Sequence, residues 1–350
     1  MNISLVIPSY NNLKHIKNAY TSVRKHYPKV NLILMDDGST DGTWEWLNEQ
    51  IKNDLYLRIY KSEERVGHTI LYDKGIEIAD TEIVGILHAD MLLGPGYIEN
   101  VLKHLEKGKV ICGTRVEPPL HPEGKEKIIR NFGLDFDDLN IEAFEEFVLK
   151  AQDEYKDQTT RGMFAPWVIY KDDFEAIGGH DPGFAPFPYE DSDIFQRWIL
   201  AGYELIQSRD AFVYHLTCRG HRWNEKVGVN DDYFTKVEKH AREYYIKKWG
   251  SWIQNDEYQY PIITPVYKKK LVLTNSNPQL EEALGIWFNE GEDIIVEVDG
   301  NTFNQQDYQV VTQLNAIVKD SGSVGEFKIG NLKITINSLK EYQNDLVTLK

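Results

Sequence analysis

Polar residues that can bind a ligand follow three short apolar stretches in the first hundred residues of this 350-residue chain. The segments are Pro8-Ser9-Tyr10-Asn11, Asp36-Asp37-Gly38-Ser39 and His88-Ala89-Asp90. A carboxylate in such a segment can accept a hydrogen bond from a base imide or a ribose hydroxyl. A glycine beside it lets the backbone turn sharply toward a ligand. The alternative for the acidic segment, which stays open at this point, is an ordinary strand-to-helix turn with an aspartate cap.

His88 and Asp90 are two residues apart. In an extended backbone, residues at this spacing project from the same side of the strand, so both side chains can reach one metal ion. An aspartate oxygen suits a hard divalent ion such as Mn²⁺ or Mg²⁺, and Mn²⁺ tolerates an imidazole ligand better than Mg²⁺ does. A lone His-x-Asp pair is also compatible with a plain turn at the end of a strand.

The elements that must position these residues are predicted to be βαβ units. Short apolar runs alternate with segments of helical period, which is typical of a parallel sheet covered by helices. The pattern predicts strands at Ser4–Ile7, Leu32–Met35, Leu57–Tyr60 and Ile83–Leu87, and helices at about Leu13–His26, Thr43–Lys52, His68–Ala79 and Gly96–Lys107. Because loops after parallel strands converge at one edge of the sheet, we expect the three polar segments to lie together.

The rest of the chain is predicted to complete an α/β domain at about residue 255. Helical spacing of apolar residues indicates helices between Asp135 and Asp157, at Asp191–Ala201 and at Asp231–Lys248. A small α+β domain of unknown role is expected over residues 262–350. Its predicted strands are Lys270–Thr274, Asp293–Val298 and Phe327–Ile336, and its predicted helices lie near Gln279–Phe288 and Gln305–Val318.

Composition excludes several classes of protein. The chain has 39 Lys plus Arg against 55 Asp plus Glu, a formal net charge of −16, which disfavours nucleic acid as a partner. Its 41% hydrophobic content excludes a largely disordered chain. Cys112 and Cys218 are too few for a disulfide framework. Since no apolar run reaches the roughly 18 residues of a membrane span and no leader pattern opens the sequence, we expect a cytoplasmic protein without a membrane span.

As an ordered set, the motifs resemble glycosyltransferase family 2, the inverting nucleotide-sugar enzymes with a GT-A fold. The resemblance covers about residues 1–220. It is carried by Val6-Ile7-Pro8-Ser9-Tyr10-Asn11, the segment Asp36–Thr43, Arg65-Val66-Gly67 to Asp73-Lys74-Gly75-Ile76, His88-Ala89-Asp90, Ile177-Gly178-Gly179 and Glu190-Asp191. It implies an α/β fold of the GT-A (Rossmann-like) type, with a mostly parallel sheet flanked by helices. The nucleotide-binding half would span about residues 1–110 and the acceptor half about 111–255.

The resemblance also implies an activity, which is transfer of a sugar from a nucleotide diphosphate sugar to an acceptor hydroxyl with inversion, assisted by Mn²⁺ or Mg²⁺. The implied nucleotide-binding residues are Pro8, Ser9, Tyr10, Asn11, Asp36, Asp37, Arg65, His88 and Ala89. Asp90 corresponds to the last acid of the family's Asp-x-Asp motif and is the implied metal ligand. His215 resembles the histidine that completes the metal site in many relatives. His88 stands in place of the first acid, which leaves open whether it binds the metal or the ribose.

Glu190 and Asp191 resemble the family's acidic pair in the acceptor half. In an inverting transfer, one carboxylate takes the proton from the acceptor hydroxyl, and Asp191 is the expected base. Three basic residues are expected to fold over the diphosphate: Arg219, His221 and Arg222. Trp167 is expected to offer an aromatic face to an acceptor sugar. The sequence leaves an alternative open for each of these sets. The acid pair could be a helix N-cap, the three basic residues could form a solvated loop, and Trp167 could pack in the core.

Two other functions remain as alternatives. A catalytically idle nucleotide-sugar or glycan-binding protein on the same scaffold is motivated by the histidine at position 88. A sugar-phosphate nucleotidyltransferase is less favoured, because it needs a glycine-rich basic loop after the first strand to hold a triphosphate. The segment Pro8-Ser9-Tyr10-Asn11-Asn12 has neither glycine nor basic residues.

Overall fold

The computed structural model describes residues 2–217, 219, 232–249 and 252–263, together with five short strands farther along the chain. The chain packs as two compact units. The first contains residues 1–237 and 255–261, and the second contains residues 238–254 and 262–347. The predicted strand Lys270–Thr274 and the predicted helices Gln279–Phe288 and Gln305–Val318 lie outside the described residues. The proposed domain limits at residues 255 and 262 therefore stay a prediction.

The first unit is built on one mixed sheet. Its strands in chain order are β1 Ile3–Ser9, β2 Asn31–Asp36, β3 Leu57–Lys61, β4 Ile83–Ile86, β5 Met91–Leu93, β6 Lys109–Glu117, β7 Lys127–Ile129, β8 Thr159–Thr160, β9 Trp167–Tyr170 and β10 Glu204–His215. The main path of the sheet runs β3-β2-β1-β4-β9-β6-β10-β5, with β7 beside β6 and β8 beside β10. Strands β3, β2, β1 and β4 are parallel, whereas β9 and β5 run antiparallel to their neighbours.

Helices flank this sheet. They are α1 Leu13–His26, α2 Thr43–Gln50, α3 His68–Glu77, α4 Tyr97–Leu102, α5 Ile141–Glu154, α6 Lys171–Ala176, α7 Glu190–Leu200 and α8 Asp232–Trp249, of which α8 continues into the second unit. The mixed α/β class with a helix-flanked central sheet is confirmed, and the four predicted strands of the nucleotide half are β1 to β4. No helix among the described residues combines the length and apolarity that a membrane crossing requires.

The burial pattern explains why these segments form the sheet. All seven residues of β1 are buried, as expected for a central strand with helices on both faces. Helix α1 buries Ile16, Ala19 and Val23, which recur at helical spacing and pack against the sheet. A smaller apolar cluster forms between α5 and β10, where Phe144 packs near Tyr214 with ring centroids 5.5 Å apart.

A close approach of two loops brings the two halves of the first unit together. Gly67, in the turn between β3 and α3, has φ of 92°. A Cβ atom at this position would lie 2.1 Å from the Cα of Pro186, so a larger residue would collide with backbone. Glycine therefore permits the start of α3 to lie directly against the segment that precedes α7.

In the second unit, the described strands are β11 Tyr267–Lys268, β12 Ile294–Val298, β13 Gly325–Ile329, β14 Leu332–Ile336 and β15 Lys340–Glu341. Strand β12 agrees with the predicted strand Asp293–Val298. The prediction of one continuous strand over Phe327–Ile336 is wrong, because β13 and β14 pair antiparallel with each other. Strands β12, β14 and β13 form a three-stranded sheet in that order.

Candidate active site

The ends of β1 and β2 bring Ser9 and Asp36 side by side, as register partners in the parallel ladder. Asp36 is fully buried, and its Oδ1 atom accepts a hydrogen bond from the backbone N–H of Ser39 at 3.0 Å. The other carboxylate oxygen of Asp36 and the hydroxyl of Ser9 have no hydrogen-bond partner within the described part of the chain. Since buried polar atoms are ordinarily paired, these two atoms are candidates to bind a ligand.

Asp37 has a different role from its neighbour. Its carboxylate accepts hydrogen bonds from the backbone N–H groups of Val66 and Gly67 at 2.7 and 2.9 Å, and from the hydroxyl of Ser62 at 3.3 Å. Burial raises the pKa of Asp37, although these donors act in the opposite direction. The structure therefore places Asp37 as a clamp on the turn after β3, whereas the sequence analysis expected both aspartates to contact the nucleotide.

Arg65 lies in that clamped turn, among aromatic rings. Its guanidinium carbon is 4.0 Å from the ring centroid of Tyr10 and 4.4 Å from that of Tyr233. The Nε atom of Arg65 has no hydrogen-bond partner among the residues described. Cation–π contacts at these distances hold a guanidinium in place, so Arg65 is more ordered than a solvated surface arginine.

The other predicted nucleotide residues support the backbone around this edge. Asn11 accepts a hydrogen bond from the backbone N–H of Thr40 at 2.7 Å, and its own N–H donates to the hydroxyl of Ser39 at 2.9 Å. These bonds join the loops after β1 and β2. Pro8 and Ala89 are buried. Their contribution to a site is to shape the backbone.

Three side chains can hold a metal ion. Two of them lie between the end of β4 and the start of β5, and the third is the last residue of β10. Ligand atoms of His88, Asp90 and His215, which we call the triad, all lie within 4.8 Å of one another. His215 is in register with Met91 in the antiparallel pair of β10 and β5, which sets it beside Asp90. The Oδ1 atom of Asp90 is buried without a partner among the described residues. Its Oδ2 atom accepts the backbone N–H of Arg219 at 3.1 Å.

The surroundings of the triad fix its ligands. Glu117 at the end of β6 lies 3.0 Å from Nδ1 of His215, so Nε2 of that ring faces Asp90 at 3.8 Å. Burial opposes ionisation of Glu117, but Arg115, His215 and Lys127 lower its pKa and keep it charged. Burial also lowers the pKa of His88 to about 3, so the imidazole is neutral at pH 7. Neutral imidazoles with one carboxylate are a donor set that fits a divalent transition metal.

Glu190 and Asp191, the acid pair, occupy the first turn of α7. Glu190 is buried, and its Oε1 atom lies 2.6 Å from Nε2 of His68 at the start of α3. The other oxygen of Glu190 has no partner in the described structure. Asp191 accepts the backbone N–H of Ser192 at 2.6 Å. Burial and the charge of Glu190 raise the pKa of Asp191 to about 6, which suits a general base near neutral pH.

Tyr72 on α3 connects the acid pair with the triad. Its ring centroid lies 5.5 Å from that of His68 and 6.4 Å from that of His88. Burial raises the pKa of Tyr72, and the carboxylates of Glu190, Asp90 and Asp191 add to this effect. Carboxylates about 100 residues apart in the sequence thus act on one side chain, that of Tyr72.

Some residues predicted to contact the acceptor or the diphosphate are buried in other contacts or lie outside the described residues. Trp167 is 0% exposed and packs against Trp198 and Phe174, so its ring is closed to an acceptor, contrary to the sequence expectation. Arg219 is also buried, and its guanidinium lies 3.2 Å from Asp135 instead of forming an open lid. His221 and Arg222 lie outside the described residues.

Sequence reasoning missed His68, Tyr72 and Glu117. His68 directly follows the Arg65-Val66-Gly67 segment, and the sequence pattern predicts only that a helix begins there. A titratable histidine next to that segment is the feature that could have identified it as a site residue. Tyr72 lies within the segment from Arg65 to Ile76 that carries the family resemblance, but the resemblance implies no role for it. Glu117 had no local signal, because the strand that it ends was not predicted.

Comparisons with known proteins point to one family. Residues 4–171 match the family model described as Glycosyl transferase family 2. Glycosyltransferase GlyG of Streptococcus pneumoniae is 28% identical over 30% of this chain and 35% of its own length. An uncharacterized glycosyltransferase of Mycoplasma genitalium, MG060, is 30% identical over 31% of this chain and 38% of its own length.

The chain therefore spans little more than a third of the length of these relatives. A solved structure, that of GalNAc-T7 with UDP, GalNAc and Mn²⁺, is similar over 70% of this chain and 50% of its own, at a TM-score of 0.48 and 16% identity. Residues 4–171 of the chain are thus similar to glycosyl transferase family 2.

Proposed function

We propose that the protein transfers a sugar from a nucleotide diphosphate sugar to an acceptor hydroxyl, with inversion at the anomeric carbon and with help from a divalent metal ion. The observation that carries this proposal is a set of buried oxygens at the ends of β1 and β2, in the triad and at the start of α7. Ser9, Asp36, Asp90 and Glu190 each present an oxygen that has no hydrogen-bond partner in the described structure. The similarity of residues 4–171 to glycosyl transferase family 2 supports the reaction class.

The donor would bind at the ends of β1 and β2. The free oxygen of Asp36 is suited to accept from a base or ribose donor, and Ser9 can donate or accept beside it. Arg65, ordered by Tyr10 and Tyr233, supplies a cation at the same edge. On a chain with a formal net charge of −16, such local positive charge helps to retain an anionic donor.

Asp90 and His215 would hold the metal, with His88 as the third ligand. A divalent ion bound there would offset the negative charge that develops on the departing diphosphate. The glutamate at position 117 orients His215 for this task through its contact with Nδ1. Because two of the three ligands are imidazoles, we propose Mn²⁺ in preference to Mg²⁺.

Asp191 would act as the base. It takes the proton of the acceptor hydroxyl while that oxygen forms a bond to the anomeric carbon. The bond from the anomeric carbon to the diphosphate oxygen breaks, and its electron pair leaves with the nucleoside diphosphate. Attack from the face opposite the leaving group inverts the anomeric centre. A pKa of about 6 leaves Asp191 largely ionised at pH 7 and still basic enough to accept a proton.

The test is release of nucleoside diphosphate from a panel of UDP-, GDP- and dTDP-sugars in the presence of Mn²⁺, with hydrolysis and added acceptors measured separately. We expect turnover with at least one donor and an inverted product by NMR. Binding of a donor without turnover, unchanged by Asp191→Ala, would instead support an idle nucleotide-sugar binding protein. Failure to bind or turn over any donor would contradict both proposals.

A further inference from the structure

The contact between His68 and Glu190 joins two elements that are 122 residues apart in the sequence. The distance of 2.6 Å between His68 Nε2 and Glu190 Oε1 is that of a strong, charge-assisted hydrogen bond. The imidazole is also fixed by its neighbours, since it stacks on Phe187 at 5.7 Å with 17° between the ring planes. Because Gly67 has no side chain, the backbone just before His68 can lie directly against Pro186, close to this contact.

Two carboxylates follow each other at the start of α7, and they are not equivalent. Glu190 is in contact with His68, whereas Asp191 bonds Ser192 next to it. Burial raises the energy of any charge here, but the adjacent His68 lowers the pKa of Glu190. In turn, Glu190 raises the pKa of His68 above its ordinary value against the effect of burial. Both shifts favour the charged form of the pair His68–Glu190.

We propose that His68 is a positioning residue for the transfer reaction: as an imidazolium it holds Glu190 ionised and turned toward α3, and it thereby leaves Asp191 as the member of the acid pair that receives the acceptor proton. This inference rests on the proposed function. In this scheme, His68 does not contact the reacting atoms. It acts through the charge and orientation of Glu190.

Removal of the imidazolium changes the titration of the acid pair. Without it, Glu190 and Asp191 become two neighbouring buried carboxylates that compete for one proton, and the apparent pKa of the pair rises. The base then becomes protonated at a higher pH. Among the described residues, the other charged or titratable groups that face His68 and Glu190 include Asp37, Tyr72, His88 and His180. Asp37 is held by Val66 and Gly67, so it is not free to replace Glu190 as the partner of His68.

The first test needs no turnover. In the full chain with isotope-labelled histidine, the ring signals of His68 are assigned from the spectrum of the His68→Gln variant and followed by NMR from pH 5 to pH 9. We expect His68 to titrate above the ordinary histidine value, and Glu190→Gln to lower its pKa by about one unit or more. An unchanged His68 titration in Glu190→Gln would overturn the ion pair and the proposal.

The second test measures kcat against pH for the parent, for His68→Gln and for a matched control. His26→Gln is the control, because His26 forms a similar contact with Glu145 at 2.9 Å between α1 and α5, away from the acid pair. We expect the acidic limb of the His68→Gln profile to move upward by about one pH unit, while His26→Gln keeps the parent profile. A lower kcat with an unmoved acidic limb would overturn the proposal in favour of a purely structural histidine.

Failure of the proposed function is distinguishable from failure of this inference. If the parent chain turns over no donor, the transfer reaction and the positioning role both fall, whereas the NMR titration still decides whether His68 and Glu190 form an ion pair. If the parent is active and the titration or the acidic limb does not respond as expected, the transfer reaction stands and the role of His68 is rejected.

Discussion

Two clusters of histidine and carboxylate lie on either side of Tyr72, and their surroundings shift the pKa values of His88 and His68 in opposite directions. In the triad, burial lowers the pKa of His88 to about 3, so the ring is neutral. Beside the acid pair, the short contact with Glu190 raises the pKa of His68. Both side chains are half-buried, and the difference comes from a direct hydrogen bond to a carboxylate in the second cluster.

Because of this difference, histidine and carboxylate side chains can have separate chemical roles in the two clusters. A neutral imidazole offers a lone pair to a metal, and a charged imidazole neutralises a carboxylate. The Asp191 carboxylate is thus left to exchange protons, while Asp90 is committed to the triad. Variants that alter one cluster are therefore expected to leave the function of the other intact.

The largest effect is expected from Asp191→Asn, which removes the proposed base and keeps the shape of the side chain. We expect kcat to fall by about 10²- to 10⁴-fold, the range typical of a lost general base, with donor affinity and Mn²⁺ affinity retained. Steady-state kinetics and calorimetric titration with donor and Mn²⁺ measure these quantities. Near-parental kcat would remove Asp191 from the mechanism, and lost metal affinity would show that the two clusters are not independent.

Glu117→Gln is the corresponding change in the triad. Because Glu117 holds Nδ1 of His215, its neutralisation is expected to weaken Mn²⁺ binding by about tenfold to a hundredfold. The measurement is a Mn²⁺ titration followed by electron paramagnetic resonance. Glu126→Gln is a matched control, since Glu126 is buried in the same cluster of charges and bonds Arg115 instead of His215. Equal losses in both variants would show a general effect of charge removal and contradict a specific orienting role.

Glu117 also marks the limit of what the sequence predicts. The strands of the nucleotide half were predictable, because each is a short apolar run bounded by helical segments, and the residues after β1, β2 and β4 were found with them. In the second half of the sheet, β6 and β9 were missed, since antiparallel and parallel strands mix there and no regular alternation marks them. Residues that depend on those strands, such as Glu117, could not be placed.

Burial is the second property that sequence patterns did not supply. Asp36 and Asp37 are adjacent and chemically identical. Within the described residues, however, Asp36 keeps one oxygen without a hydrogen-bond partner, whereas Asp37 accepts hydrogen bonds from the backbone of Val66 and Gly67. Trp167 is likewise an aromatic residue whose type fits a sugar platform but whose side chain is covered by the core. These distinctions arise from tertiary contacts, so residue type and spacing do not contain them.

The pH dependence of the parent enzyme tests the acid pair without any substitution. Asp191 must be ionised to accept a proton, and its pKa is raised to about 6. We therefore expect kcat to be level near pH 7 to 8 and to fall about tenfold per pH unit below pH 6, as the carboxylate becomes protonated. An acidic limb that remains level down to pH 4.5 would mean that the base has an ordinary aspartate pKa.

The smallest effect is expected from His88→Asp, which gives the triad the acid that the family places at this position. The change replaces an imidazole with an oxygen ligand, which Mg²⁺ prefers, so the ratio of Mn²⁺ affinity to Mg²⁺ affinity should fall by about tenfold. Competition titrations of the two ions against a fluorescent nucleotide report this ratio, and the pH profile of kcat should keep its acidic limb, because Asp191 is untouched. If the affinity ratio does not change, His88 is not a metal ligand and contacts the donor instead. If the acidic limb moves, the separation of the two clusters by Tyr72 is incomplete.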